Sequence, residues 1–273
     1  METTSASPDL DRGAVPAAEL RPIFLRAYVP TGLAPKRRGG FPRPSDWVLV
    51  FDTETWPDGA QAMRIGTYQL RRRGQLRDKV IFYDPDQVSG AEMAVLQREA
   101  VRHACRLVTV TEFREAILFK AYAVDAVIVG FNLPFDLSRL AIGHSSARTI
   151  MRRDGSRDRS MVGGFTFRLS DVKGRPNIRV RHRSSRSAFI SFTQTWSDPV
   201  YVTGDDGEEE TVRKPGFFLD IKTLAAALTS KSFSLSRLAK HLGVASKGEF
   251  TDFGRVIDPD LVEYAVQDTQ VTW

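Results

Sequence analysis

The chain has 273 residues, of which 42% are hydrophobic, enough for a sizeable core and too many for a wholly disordered protein. A formal charge of +6 and a pI near 9.6 suit a polyanionic partner, because each Lys or Arg set against a phosphate releases a counterion. One cysteine, Cys105, excludes an internal disulfide, four scattered histidines give no zinc-ligand set, and no apolar run is long enough to span a membrane.

Residues 1–45 are rich in Pro, Gly, Ala and Arg, without the apolar stretch of a secretion signal, and read as a tail or arm with one short strand at Pro22–Val29. From residue 46 the pattern becomes ordered. WVLVFDTET is a short apolar run of strand formers, as in a strand buried on both faces. MRIGTYQLRRRG and QLRDKVIFYDP alternate apolar and polar residues, as antiparallel strands do, with a turn near Gly74. Ala91–Ala121 carries Met93, Leu96, Val101, Leu107, Phe113 and Leu118 near a 3.6 period, which predicts one long helix. AVDAVIVGFN is another buried strand, and PFDLSRLAIG opens a helix with Pro134 in its first turn. Residues 151–215 alternate like strands, in FTFRLSDV, IRVRHR, AFISFTQTW, PVYVTG and ETVRK, and form a strand-rich insertion. GFFLDIKTLAAAL is a strand running into a helix, Ser234–Leu242 is a helix closed by Gly243, and Pro259–Trp273 is a final helix capped by Asp258. The order of strands and helices implies an α/β domain on a mixed sheet flanked by helices.

Three short segments carry the chemistry. Asp52 and Glu54 stand at i and i+2 on the first core strand, so alternation puts both carboxylates on one face. Two carboxylates side by side on a buried strand are costly unless cations compensate them, and an all-oxygen set suits Mg²⁺ or Mn²⁺. Asp136, in Asn132-Leu-Pro-Phe135-Asp136, stands where a strand passes into a helix, the edge at which α/β proteins keep their sites. Tyr264 and Asp268, in YAVQD, share one helix face at i and i+4, beside apolar Leu261, Ala265 and Val266. Each segment alone has an ordinary alternative: a strand end facing water, a helix-capping Asp, a Tyr beside an exposed Asp.

Taken together, four carboxylates in the order strand, junction and final helix, with a tyrosine one turn before the last, resemble the DEDDy 3′→5′ exonucleases of the ribonuclease H-like fold. Within them the pattern is similar to the proofreading domain of family B DNA polymerases. DTET looks like the first exonuclease motif, NLPFD like the second and YAVQD like the third. NLPFD also resembles the second motif of the protein-primed branch, and Lys247-Gly-Glu-Phe250 fits that branch's lysine motif. Thr223-Leu224 and Ser234-Leu235 both stand where the family keeps a Ser/Thr-Leu contact to DNA. The resemblance covers about residues 46–273, and the insertion at 151–215 is longer than it predicts.

The resemblance implies a two-metal hydrolysis of single-stranded DNA from its 3′ end. Asp52, Glu54 and Asp268 would hold one Mg²⁺ or Mn²⁺ ion, Asp52 would bridge to a second, and Asp136 would support that ion through water. Tyr264 would orient the attacking water and Lys247 would offset charge on the phosphate. Thr55, Asn132, Phe135, Thr223 and Leu224 would hold the frayed end, although Phe135 is equally readable as core. No polymerase palm or fingers motif follows, and the last helix stops five residues past Asp268, so the chain reads as a fragment whose partner is a polymerase domain in the same full-length chain. Cytoplasm or nucleoid is the expected location. The other readings are a stand-alone RNA or DNA exonuclease of the same superfamily and a nucleic-acid-binding module without catalysis.

Overall fold

In the computed structural model the described residues are 43–146, 150–151, 157–158, 164–184, 187–193, 200–203, 209–212, 216–244, 254 and 256–273. Strands β1 (Trp47–Thr55), β2 (Met63–Arg72) and β3 (Gln75–Tyr83) follow one another as an antiparallel meander, and α1 (Gly90–Arg102) leads into β4 (Arg106–Thr109). Next come α2 (Val110–Glu112), a π-helical stretch (Phe113–Leu118), α3 (Phe119–Ala123), β5 (Val127–Gly130) and α4 (Leu133–Leu140). The strand-rich stretch holds β6 (Gly143–Ser146), β7 (Ile150–Met151), β8 (Arg157–Asp158), β9 (Phe165–Arg168), β10 (Ile178–Ser184), β11 (Ser187–Phe192), β12 (Val200–Thr203) and β13 (Glu209–Val212). The chain closes with β14 (Phe217–Asp220), α5 (Ile221–Thr229), α6 (Leu235–Leu242) and α7 (Pro259–Thr272).

Six strands form the main sheet in the order β14-β5-β1-β2-β3-β4. β14, β5 and β1 are parallel, β1–β2 and β2–β3 antiparallel, and β3–β4 parallel. This is a mixed α/β sheet flanked by helices, compatible with a ribonuclease H-like fold. A separate antiparallel sheet runs β11-β10-β9-β6, beside two small hairpins, β12–β13 and β7–β8. It begins at Gly143, before the expected start at 151, because Ala141 already leaves helical geometry (φ −71°, ψ 132°) and ends α4 at Leu140.

The core lies on both faces of the main sheet. One face packs Leu49, Phe51, Tyr68 and Phe82 under Phe113, whose ring stacks on Phe82 at 4.2 Å, and extends to Ile178, Val180 and Phe192 of the second sheet. The other packs Ile65 and Ile81 against Leu96 of α1 and Leu261, Val262, Ala265 and Val266 of α7. Full burial of each such side chain contributes about 1.5–3 kcal/mol. No helix among the described residues is long and apolar enough to cross a membrane.

Two expectations are corrected. Ala91–Ala121 is not one helix: α1 ends at Arg102, Ala104 takes a left-handed φ of 51°, and β4 follows. Val101, expected to face inward, is 82% exposed. The helix restarts because Thr109 and Glu112 form a capping box, a signal that the apolar period conceals. β2, read as alternating, is buried on both faces from Met63 to Gln69, since α1 and α7 cover the side on which water was expected. Two of its polar residues find partners inside: Arg64, 1% exposed, pairs with Glu92 at 3.0 Å, and Gln69 donates to Gln270 at 2.8 Å.

Candidate metal centre

The parallel strands β1, β5 and β14 end side by side, with Val50 opposite Val129 and Gly130 opposite Asp220, and the candidate site lies at these carboxyl ends. Two glycines let the backbone pack closely there. A Cβ on Gly66, opposite Thr53, would meet the Phe82 ring at 2.2 Å and the Asp52 carbonyl at 2.7 Å. A Cβ on Gly130 would meet Leu133 of α4 at 2.6 Å.

α7 crosses the β1–β2 face that carries Asp52 and Glu54. Its N-terminus is fixed by Asp258, whose carboxylate accepts from the Leu261 amide at 2.9 Å. Its middle is fixed by the Thr67 hydroxyl, which donates to the Ala265 carbonyl at 2.8 Å and touches the Thr269 hydroxyl. Thr67 stands opposite Asp52 in the β1–β2 register, so this contact brings the third carboxylate over the pair. Ligand oxygens of Asp52, Glu54 and Asp268 all lie within 4.8 Å of one another. Glu54 and Asp268 are buried, and Asp52 is half-buried.

Asp136 does not join that cluster. It is 2% exposed, and its Oδ1 accepts from the Thr53 amide at 3.2 Å and the Thr53 hydroxyl at 2.7 Å. Its Oδ2 is buried with no hydrogen-bond partner among the described residues. Burial, followed by the charge of Asp52, pushes the Asp136 carboxyl well above the usual range, against the pull of the two Thr53 hydrogen bonds. Burial also pushes the Tyr264 phenol up, and the charges of Asp268, Glu54 and Asp52 and a hydrogen bond to Asp268 push it further. Tyr264 is therefore a hydrogen-bond donor at neutral pH and no base. An all-carboxylate donor set, two members buried, with an unpartnered carboxylate oxygen beside it, fits Mg²⁺ or Mn²⁺.

The remaining candidates divide. Asn132 takes a left-handed conformation (φ 74°) at the entry to α4, and its amide and that of Leu133 donate to Asp220 Oδ1 at 2.7 and 3.1 Å. Asp220 Oδ2 accepts from the Thr223 amide and hydroxyl, so Thr223 is tied through Asp220 to Asn132. Ser234 instead caps α6 and Leu235 is buried, which leaves that pair without a link to Asn132 among the described contacts. Leu224 is exposed. Phe135 is half-buried under the Arg139 guanidinium, 5.0 Å from its ring, and Arg139 also donates to the Ala60 and Gln61 carbonyls. Thr55 follows an irregularity in the β1–β2 register. Lys247 and the Pro22–Val29 strand lie outside the described residues.

Sequence reasoning missed Thr53, Asp220 and Lys222. Lys222 donates to Asn132 Oδ1 at 3.2 Å, which sets the orientation of that amide and leaves its NH₂ end for a ligand. The signal for Asp220 was present: D-x-x-T after FFL is a helix cap closing a strand. Comparison of the chain with protein-family models and with curated proteins finds no match.

Proposed function

We propose that the chain is a divalent-metal-dependent 3′→5′ exonuclease that trims single-stranded DNA ends. It would work as the proofreading part of a family B-like DNA polymerase, beside the DNA of the cytoplasm or nucleoid. The observation that carries the reading is the convergence of Asp52, Glu54 and Asp268 within 4.8 Å, next to the buried unpartnered oxygen of Asp136. The preference for DNA and the polymerase partner rest on the likeness of NLPFD and YAVQD to family motifs.

Asp52, Glu54 and Asp268 would hold Mg²⁺ or Mn²⁺, with Asp136 supporting the site from the far side of β1. Such ions supply activation of water and neutralisation of charge on the phosphate. The chain's own residues orient the reactants. Tyr264, kept protonated and hydrogen-bonded to Asp268, would orient the attacking water through its hydroxyl oxygen. Asn132, held by Asp220 and Lys222, presents its amide NH₂ to an oxygen of the terminal nucleotide. Phe135, stiffened by Arg139, gives a ring face that any base can use, which suits trimming without sequence preference.

A 5′-labelled single strand given to the full chain in Mg²⁺ is expected to shorten as a descending ladder. A 3′-terminal phosphorothioate should slow it, and a paired 3′ end should be slower still because it must melt first. Loss of label first from the 5′ end would overturn the polarity. A ladder on RNA as fast as on DNA would favour a stand-alone RNA exonuclease.

A further inference from the structure

The four strands of the second sheet, GHSS, FTFR, IRVRHRS and SAFISF, contain no acidic residue and four arginines. The inward face of the sheet is occupied: Ile178, Val180 and Phe192 belong to the main core. The register then puts Thr166 and Arg168 of β9, Arg179 and Arg181 of β10, and Phe189 and Ser191 of β11 on the opposite face. Arg179 pairs across the ladders with Thr166 and Ser191, and Arg181 stands directly opposite Phe189. Phe189 is 61% exposed and Arg181 is exposed. Arg168 is neutralised by Asp171, whereas Arg179 and Arg181 have no ion-pair partner among the described residues. An exposed ring between unneutralised arginines, on a sheet without carboxylates, is the arrangement that stacks bases and follows a phosphate backbone.

The β11 strand of this sheet meets α5 beside the candidate site. The residue before Phe189, Ala188, donates its amide to the Thr223 hydroxyl at 3.3 Å, and Thr223 is bonded to Asp220, which holds Asn132. Three hydrogen-bonded steps thus connect the backbone beside the exposed ring to the backbone of Asn132, the residue whose side-chain amide is read as holding the terminal nucleotide.

We infer that the outer face of this sheet is a second binding surface for single-stranded nucleic acid, gripping the strand upstream of the 3′ end that enters the metal centre. The inference extends the exonuclease reading, on which its direction of threading rests. The surface raises affinity for strands long enough to reach it and leaves the hydrolytic step unchanged.

The test is anisotropy of fluorescein-labelled oligothymidine with the full chain in EDTA, where no cleavage occurs, over a range of NaCl. For a strand of about 20 nucleotides, Arg179→Gln/Arg181→Gln should weaken binding at least about tenfold and reduce the salt slope by about 1.4, at about 0.7 per phosphate contact. Phe189→Ala should weaken it roughly five- to hundredfold with the slope kept. A strand of about 4 nucleotides should bind all variants alike, and Arg179→Lys/Arg181→Lys should restore the slope. Unchanged affinity and slope in both variants would overturn the inference. Loss in the arginine variant with none in Phe189→Ala would overturn it too, in favour of a surface for duplex or an acidic protein. Cleavage by the unaltered chain in Mg²⁺ reads the exonuclease proposal separately. Binding without cleavage contradicts that proposal alone, and cleavage with normal binding by the variants contradicts the second surface alone.

Discussion

A buried carboxylate beside another is destabilising while no cation compensates the pair, and Asp136 stands in that position next to Asp52. Asp136→Asn keeps an oxygen for the two Thr53 hydrogen bonds and removes the like charge. It is expected to raise the melting temperature in EDTA by about 2–4 °C for each kcal/mol of repulsion relieved, while lowering the cleavage rate by about a hundredfold or more. Differential scanning calorimetry beside a cleavage assay checks both, and a lower melting temperature would contradict the strain assigned to this carboxyl. Tyr264→Phe separates positioning from packing. Loss of the hydroxyl should reduce turnover about a hundred- to ten-thousandfold with metal affinity near normal, and unchanged turnover would leave Tyr264 a packing residue. At this scale the sequence was most readable where the rule is local: i and i+2 on a strand, i and i+4 on a helix, both independent of the rest of the chain. The local cap of Thr223 by Asp220 was readable, but the bonds of Asp220 to Asn132, Thr53 to Asp136 and Lys222 to Asn132 span 88, 83 and 90 positions, and only the folded sheet brings those partners together.

The elements that carry the site are held by Glu92. It closes the capping box of α1 with Ser89, pairs with buried Arg64 of β2, and accepts from the Ile257 amide at 2.8 Å just before α7. Arg64 also lies over the Trp56 ring at 3.7 Å. Glu92 thereby joins α1, β2 and the entry of the helix that bears Tyr264 and Asp268. Burial raises its pKa, but hydrogen bonds from the Ile257 and Ser89 amides, the Ser89 hydroxyl and Arg64 outweigh it and hold the carboxyl down at about 2. The folded value lies below the unfolded one, so this stabilisation is complete above about pH 4.5 and is lost as pH falls toward 2. Glu92→Ala is expected to cost about 3 kcal/mol at pH 7 and to flatten the loss of stability between pH 4.5 and 2, read by urea denaturation across that range. An unchanged acid limb would assign the loss to other carboxylates. Helix ends marked by caps were readable from sequence: Asp258 and Gly243 stand where expected, and Ser234, read as the first residue of its helix, is the N-cap just before it. The α1–β4 break was not, because Leu107, Phe113 and Leu118 keep a helical spacing across a strand and a capping box.

Across the whole molecule, the α/β class and the mixed sheet followed from a few buried runs, since a continuous apolar strand and a strand-to-helix junction leave few architectures. The strand-rich stretch was readable as strands but not as a sheet with an inner and an outer face. Its sides are decided by which residues the main core covers, and Ile178, Val180 and Phe192 reveal that only when folded. The role of the carboxylates is decided by the cleavage rate of a 5′-labelled single strand with the unaltered chain and with Asp52→Ala, each in Mg²⁺, Mn²⁺ and EDTA. A catalytic role for them requires shortening from the 3′ end in either metal by the unaltered chain, none in EDTA, and near-complete loss in Asp52→Ala with strand binding retained. An intact strand with the unaltered chain in both metals, or undiminished cleavage in EDTA or by Asp52→Ala, would contradict it.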